Sequence, residues 1–224
     1  MVPFQRDGAS KEKHSCCVRR GDKALAALTL TQKEERMNIQ VHPSPIGPLT
    51  LVSEGQRLVG CYFANSSTAK KLQRKTHPNT NDPILNQARD QLDRFFSRKL
   101  QAFSVPMAPR GTEFQVRVWR ALQSIPYGKT ASYGAIAGRI GRPTAARAVG
   151  TANGRNPICI FVPCHRVIGS DGSLTGFGGG LERKEFLLAL ESYRGYSYVP
   201  HFTGWMFARI AAAVASDGLP GYLP

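Results

Sequence analysis

Cys164 and His165 are the residues of this 224-residue chain best suited to chemistry. They sit in Pro163-Cys164-His165-Arg166-Val167, inside a stretch from Phe114 to Ser170 that holds no Asp or Glu. That stretch carries Arg117, Arg120, Lys129, Arg139, Arg142, Arg147, Arg155 and Arg166. A thiol attacks as its thiolate; the ordinary pKa is about 8.5, and nearby His or Arg charge can lower it by several units. The pattern predicts a nucleophilic cysteine held as thiolate in a positive field. Adjacent side chains do not face each other on a helix, so His165 is expected to act on Cys164 through a turn or a bridging water. A base needs an orienting group, and Glu191 is the candidate. It ends a helix that places Leu187 and Leu188 on the same face, where a carboxylate is costly unless paired. A solvated Glu191 in the last helical turn is the alternative.

The same positive charge attracts a polyanion. The chain has a net charge of +15 and 42% hydrophobic residues, enough for a packed core and basic enough for phosphate backbones or anionic membranes. A solvated basic surface is the plain alternative. No run approaches the ~20 apolar residues of a membrane span. Ala24-Leu25-Ala26-Ala27-Leu28 is too short, and too soon followed by Lys33-Glu34-Glu35-Arg36, to read as a secretory signal. Cys16, Cys17, Cys61, Cys159 and Cys164 are odd in number, which argues against a disulfide framework and for a reducing, intracellular setting. That setting is cytoplasm in a prokaryote and nucleus in a eukaryote. His14, Cys16 and Cys17 hint at metal, but adjacent cysteines suit a tetrahedral site poorly and no second pair follows at ligand spacing. No metal and no cofactor are expected.

Local patterns supply the elements that must position these groups. Residues 1–36 read as a loosely ordered basic arm. Residues 38–63 read as strands: Asn38 to His42, Leu49 to Val52 and Leu58 to Phe63, with Glu54-Gly55-Gln56 as a hairpin connection. Cys61 reads as a small core residue. Residues 64–82 read as a polar loop. Asp82-Pro83 starts a helix carrying Ile84, Leu85, Ala88, Leu92, Phe95 and Phe96 to about Arg98. Pro106 to Gly111 reads as a linker, so 37–109 forms a small α+β domain and 110–191 a second domain. There Thr112 caps a helix with Phe114, Val118, Leu122 and Ile125 on one face. Ser132 starts a second short helix. Thr144 caps a third, Ala145 to Ala152, which Asn153-Gly154-Arg155-Asn156-Pro157 breaks. Two short helices around Gly141-Arg142-Pro143, the second rich in Ala and Arg, read as a helix-turn-helix or as an ordinary α-hairpin; the charge favours the first. Gly176-Phe177-Gly178-Gly179-Gly180 lacks the spacing of a phosphate cradle and suits a loop against a flat ligand. The tail, 192–224, has no functional reading.

These runs together resemble the O6-alkylguanine-DNA alkyltransferase family. The matching text is Tyr127-Gly128-Lys129-Thr130-Ala131-Ser132-Tyr133-Gly134, Ala145 to Gly150, Asn153 to Pro157, Pro163 to Gly169 and Gly176 to Leu181. The resemblance implies an α+β fold, with a small ribonuclease-H-like N-terminal domain before a helical, winged-helix or helix-turn-helix-like alkyltransferase domain. It implies a monomer that binds double-stranded DNA through the minor groove. Thr144, Ala146 and Arg147 would lie on the recognition helix, with Arg147 filling the gap left by the extruded base. Asn156 would brace the link from that helix to the active-site loop, and the backbones of Val167 and Gly178 would edge the guanine pocket. Cys164 would take the methyl group, His165 would deprotonate it through water, Glu191 would fix the imidazole, and Tyr133 would protonate the leaving guanine. O4-methylthymine is a second candidate substrate. The rivals are a non-enzymatic binder of alkylated DNA, which would lack the cysteine; a Cys164 hydrolase, which would need an oxyanion hole; and a transcription regulator with an added metal-binding domain.

Overall fold

Three antiparallel strands open the described part of the chain: β1 (Met37–His42), β2 (Leu49–Glu54) and β3 (Arg57–Phe63), in the order β1-β2-β3. The computed structural model describes residues 37–75 and 81–192. The expectations for the arm 1–36, for His14, Cys16 and Cys17, and for the tail beyond Ser192 lie outside these residues. Glu54 pairs with Arg57 across a turn in which Gly55 has φ 56°. A bulge at Val52/Ser53 interrupts the β2–β3 register.

Helix α2 (Pro83–Phe96) covers this sheet with Leu85, Ala88, Leu92, Phe95 and Phe96, all buried. Its start is stitched to the strands by one carboxylate. Asp82 accepts from Leu85 N at 2.9 Å as N-cap, and from Ser53 Oγ and Asn38 Nδ2 at 2.7 Å each. A cap of this kind contributes about 1 kcal/mol. The helix ends at Phe96, two residues before the expected limit, because Arg98 takes a left-handed φ of 62°.

Two expectations in this half are corrected. Residues 64–82 are not a simple loop: α1 runs Ser67–Lys75, with Ser66 Oγ accepting from Ala69 N. Among its described side chains only Ala69 is buried, so the sequence offered too narrow an apolar stripe to mark a helix. Pro106 to Gly111 is not a free linker either. Met107 bridges Leu58, with Leu58 N donating to Pro106 O and Ala108 N to Leu58 O. The segment thus runs along the sheet edge, where a proline's missing N–H is tolerated.

The second half is helical. Helix α3 (Glu113–Gln123) begins in a capping box between Thr112 and Gln115. Short β4 (Ala131–Ser132) leads into α4 (Tyr133–Arg139), capped by Ser132 Oγ. After a turn comes α5 (Ala146–Gly154). Thr144 does not cap α5. The N-cap is Ala145, with no side-chain bond, because Ala145 N donates to Arg142 O and residues 142–145 close a turn of their own. Asn153 and Gly154 extend α5 rather than break it. Trp119 of α3 is fully buried and its indole donates to Ala152 O at 2.9 Å, fixing α5 from behind. β5 (Val167–Ile168) pairs in parallel with β4. Helix α6 (Leu181–Ser192) closes the described fold. Most buried apolar side chains of sheet and helices form one continuous core. Among the described residues no helix is long and apolar enough to cross a membrane.

Candidate active site

Cys164, His165 and Arg166 form a single 3-10 turn behind Pro163. With three residues per turn, successive side chains diverge by about 120°. One side chain can therefore face a cavity while the next two face the protein. Cys164 lies on the wall of a cavity of about 430 Å³, together with Asn153, Asn156, Phe177 and Gly178. His165 and Arg166 instead converge on Glu191.

That convergence is fully buried. His165 Nε2 lies 2.8 Å from Glu191 Oε1. Arg166 donates from Nε to Oε2 and from Nη2 to Oε1, both at 2.9 Å. Gly128 N donates to Oε2 at 3.1 Å. Gly128 has φ 68°, and a Cβ there would lie 3.0 Å from the Glu191 carbonyl oxygen, so a side chain would be strained and tightly crowded. Arg166 Nη1 donates to Ile125 O at 2.6 Å. Glu191 is therefore paired, as its apolar face demands, and not solvated. Burial pushes its carboxyl up, but the hydrogen bonds of His165 and Arg166 and the Arg166 charge win and hold it at about 2. Burial lowers His165 more than Glu191 raises it, so the imidazole is neutral. A carboxylate only accepts, so Nε2 carries the proton and Nδ1 keeps its lone pair. Nδ1 is buried and has no protein partner.

The surrounding positive charge does not by itself lower the Cys164 thiol. Burial pushes the Cys164 thiol up to about 12, against an Asn156 hydrogen bond that favours the anion. The basic stretch does not focus on the sulfur. Arg117 donates to Ile140 O and Arg139 to Ser124 Oγ, Arg142, Arg147 and Arg155 are exposed, and Arg166 is neutralised by Glu191. Lys184 is the cation whose field reaches Cys164.

Lys184 escaped the sequence reading. It is 0% exposed, and its Nζ donates to Val167 O and Thr175 O at 2.6 Å each. It stands seven residues before Glu191, two turns along the same face of α6. One helix thus pins both the Cys164 turn and the loop opposite. The only sequence signal was a lysine among Phe186, Leu187 and Leu190. Asn153 was also missed as a positioning group: it is buried and donates to Cys164 O at 3.3 Å.

The remaining candidate residues fall in distinct places. Asn156 clamps the loop after α5, donating to Val162 O at 2.8 Å and accepting from Ile158 N at 3.0 Å. Tyr133 begins α4; its hydroxyl donates to Thr175 O at 3.0 Å. A Cβ on Gly176, which has φ 56°, would come within 3.0 Å of that hydroxyl. Tyr133 and Val167 are not among the residues lining the Cys164 cavity, whereas Gly178 is. Val167 is fully buried and its carbonyl is engaged by Lys184. Arg147 and Thr144 are exposed and Ala146 is half-buried, on or beside the first turn of α5.

Known proteins share both halves of this arrangement. Residues 113–193 match the 6-O-methylguanine DNA methyltransferase DNA binding domain, and residues 37–109 match the ribonuclease-like domain of the same enzymes. A methylated-DNA–protein-cysteine methyltransferase of Mycobacterium tuberculosis (strain H37Rv) is 52% identical over 151 residues, which are 67% of this chain and 90% of the relative. One from Methanosarcina acetivorans is 48% identical over 155 residues, 69% of this chain and 98% of its own. The crystal structure of M. tuberculosis OGT in complex with DNA superposes with a TM-score of 0.65 at 49% identity, over 70% of this chain and 94% of that one. With both domains matched in order, and half the residues shared over nearly the whole of these relatives, the chain belongs to the methylated-DNA–protein-cysteine methyltransferase family.

Proposed function

We propose that this protein repairs DNA directly, moving the alkyl group of O6-alkylguanine onto Cys164 once per molecule and without a cofactor. The lesion lies inside the duplex, so the nucleotide must be turned out to reach a cavity. The carrying observation is a thiol on that cavity wall backed by a neutral imidazole whose free nitrogen is an acceptor. Cys164 rests protonated, so deprotonation belongs to the encounter with substrate. Its proton passes through water to His165 Nδ1, while Glu191 holds Nε2–H and stabilises the imidazolium. The sulfur forms a bond to the alkyl carbon as the carbon–O6 bond breaks. Guanine leaves with a negative charge and takes a proton, for which Tyr133 is the proposed donor. Its bond to Thr175 O places the hydroxyl beside the glycine loop that includes Gly178. The product thioether has no leaving group that would restore the thiol, so each molecule acts once.

The DNA reading assigns α4 and α5 to the duplex, with exposed Arg147 in the minor groove and Thr144 and Ala146 beside it. Asn156 couples α5 to the Cys164 loop, and Val167 positions that loop from behind the pocket edge formed by Gly178. One monomer acts per lesion, with 37–109 and 110–191 as its two domains, in a reducing intracellular compartment. The test is transfer of radiolabelled methyl from O6-methylguanine DNA, with an O4-methylthymine duplex in parallel. Wild type should gain label stoichiometrically on the Cys164 peptide, and Cys164→Ala should gain none. Label remaining on DNA with binding intact would favour the non-enzymatic binder, and more than one transfer per molecule would contradict single use.

A further inference from the structure

Two thiols that this chemistry leaves idle face each other beside Cys164. Cys61 lies in β3 and Cys159 in the loop after α5, 98 residues apart in sequence, yet their sulfurs are 3.7 Å apart. Both also line the cavity that Cys164 lines. Backbone bonds tie β3 to this loop at Cys61: Cys61 N donates to Pro157 O at 2.9 Å and Cys159 N to Cys61 O at 3.1 Å. A disulfide needs the sulfurs about 2.05 Å apart, which side-chain rotation and a small shift can supply. Cys61 is 0% and Cys159 7% exposed, so an oxidant reaches them only by way of the cavity.

We infer that Cys61 and Cys159 are a redox pair, converted by a peroxide to a disulfide that remodels the cavity wall and slows alkyl transfer to Cys164. Peroxide first oxidises Cys159 to its sulfenic acid with loss of one water. The Cys61 sulfur then attacks the Cys159 sulfur, the S–O bond breaks, and hydroxide leaves with the Cys61 proton as the second water. Two thiols and one peroxide give one disulfide and two waters. The bond to Cys61 and burial keep the Cys159 thiol protonated, so the conversion is slow and answers sustained rather than brief oxidation. The cross-link acts on Cys164 because Cys159 lies five residues before it, in the loop that Asn156 clamps.

The second readout below rests on the proposed alkyl transfer; the first does not. The full chain is incubated with hydrogen peroxide, alkylated and digested without reduction. A Cys61–Cys159 peptide lighter by two hydrogens is expected, with Cys164 still a thiol. A pair that stays reduced while Cys164 gains oxygen overturns the proposal, as does linkage to Cys16, Cys17 or Cys164 instead. Methyl transfer by the oxidised protein should then fall by up to about a hundredfold, the scale of an ångström-sized displacement near a reacting centre, and return on treatment with dithiothreitol. Cys61→Ala, normalised to its own reduced rate, should lose that reversible drop. An equal reversible drop in the variant, or a disulfide without any change in transfer, overturns the regulatory role. If reduced wild type transfers nothing, the functional reading fails while the peptide map still decides the pair.

Discussion

Arg166 and Arg147 lie nineteen positions apart in one acid-free stretch, and their environments are opposite. Arg166 is 6% exposed and clamped by Glu191 and Ile125 O. Arg147 is exposed on the first turn of α5. The same guanidinium is a brace in one place and a free charge in the other. A run of positive residues therefore does not describe one field. Charge that meets a carboxylate inside the fold positions neighbours, and only charge left at the surface can meet a phosphate.

The largest break in that comparison comes from the buried side. Glu191→Ala strands Arg166 without its partner and frees His165; loss of about 3–5 kcal/mol is expected, read by urea denaturation. Glu191→Gln keeps the shape and the acceptor oxygen, so it should lose less stability than Ala while still lowering transfer. A Glu191→Ala protein as stable as wild type would mean the cluster is not holding the turn.

Cys164 reactivity sharpens the comparison next. Its thiol is raised from 9.0 to about 12 by burial, so the folded state favours the protonated form. The sign follows: any stability from this group is present below 9.0 and lost as pH rises towards 12, and iodoacetamide should label Cys164 slowly at neutral pH and faster as pH climbs. A labelling rate already at its plateau by pH 8 would restore the resting thiolate.

Smaller effects belong to the exposed side. Arg147→Ala should leave folding within about 0.5 kcal/mol but weaken binding to duplex DNA, with the salt slope falling by about 1 if it meets a phosphate. An unchanged affinity and slope, measured by fluorescence anisotropy, would place the DNA elsewhere. Thr144→Ala is the smallest. With no capping bond to lose, its melting temperature should match wild type, and a loss near the usual 1 kcal/mol of a cap would contradict the observed turn.

Strands β1 to β3 and the capped helices were legible because their signals are local. Asp82-Pro83 and Thr112 mark helix starts whatever lies around them. Helix α1 was not legible, since Ser67 to Lys75 is mostly polar and offers little apolar surface to mark a buried face. Thr144 misled because the same residue types that cap helices also close turns, and Arg142 O captured the chain first. At the site, Cys164, His165 and Glu191 could be nominated from residue type and position. Lys184 and Asn153 could not, because their roles are set by carbonyls of Val167, Thr175 and Cys164 that only folding brings near.

By itself the sequence determined the candidate sulfur, its adjacent imidazole, the first three strands and most of the helices, and an excess of positive charge. The tertiary structure alone decided that the thiol rests protonated, that Glu191 is paired, that Lys184 is a buried brace, and that Cys61 meets Cys159. The reason is common to all four. Protonation and pairing depend on distance and on how much water is excluded, and neither is a property of neighbours along the chain.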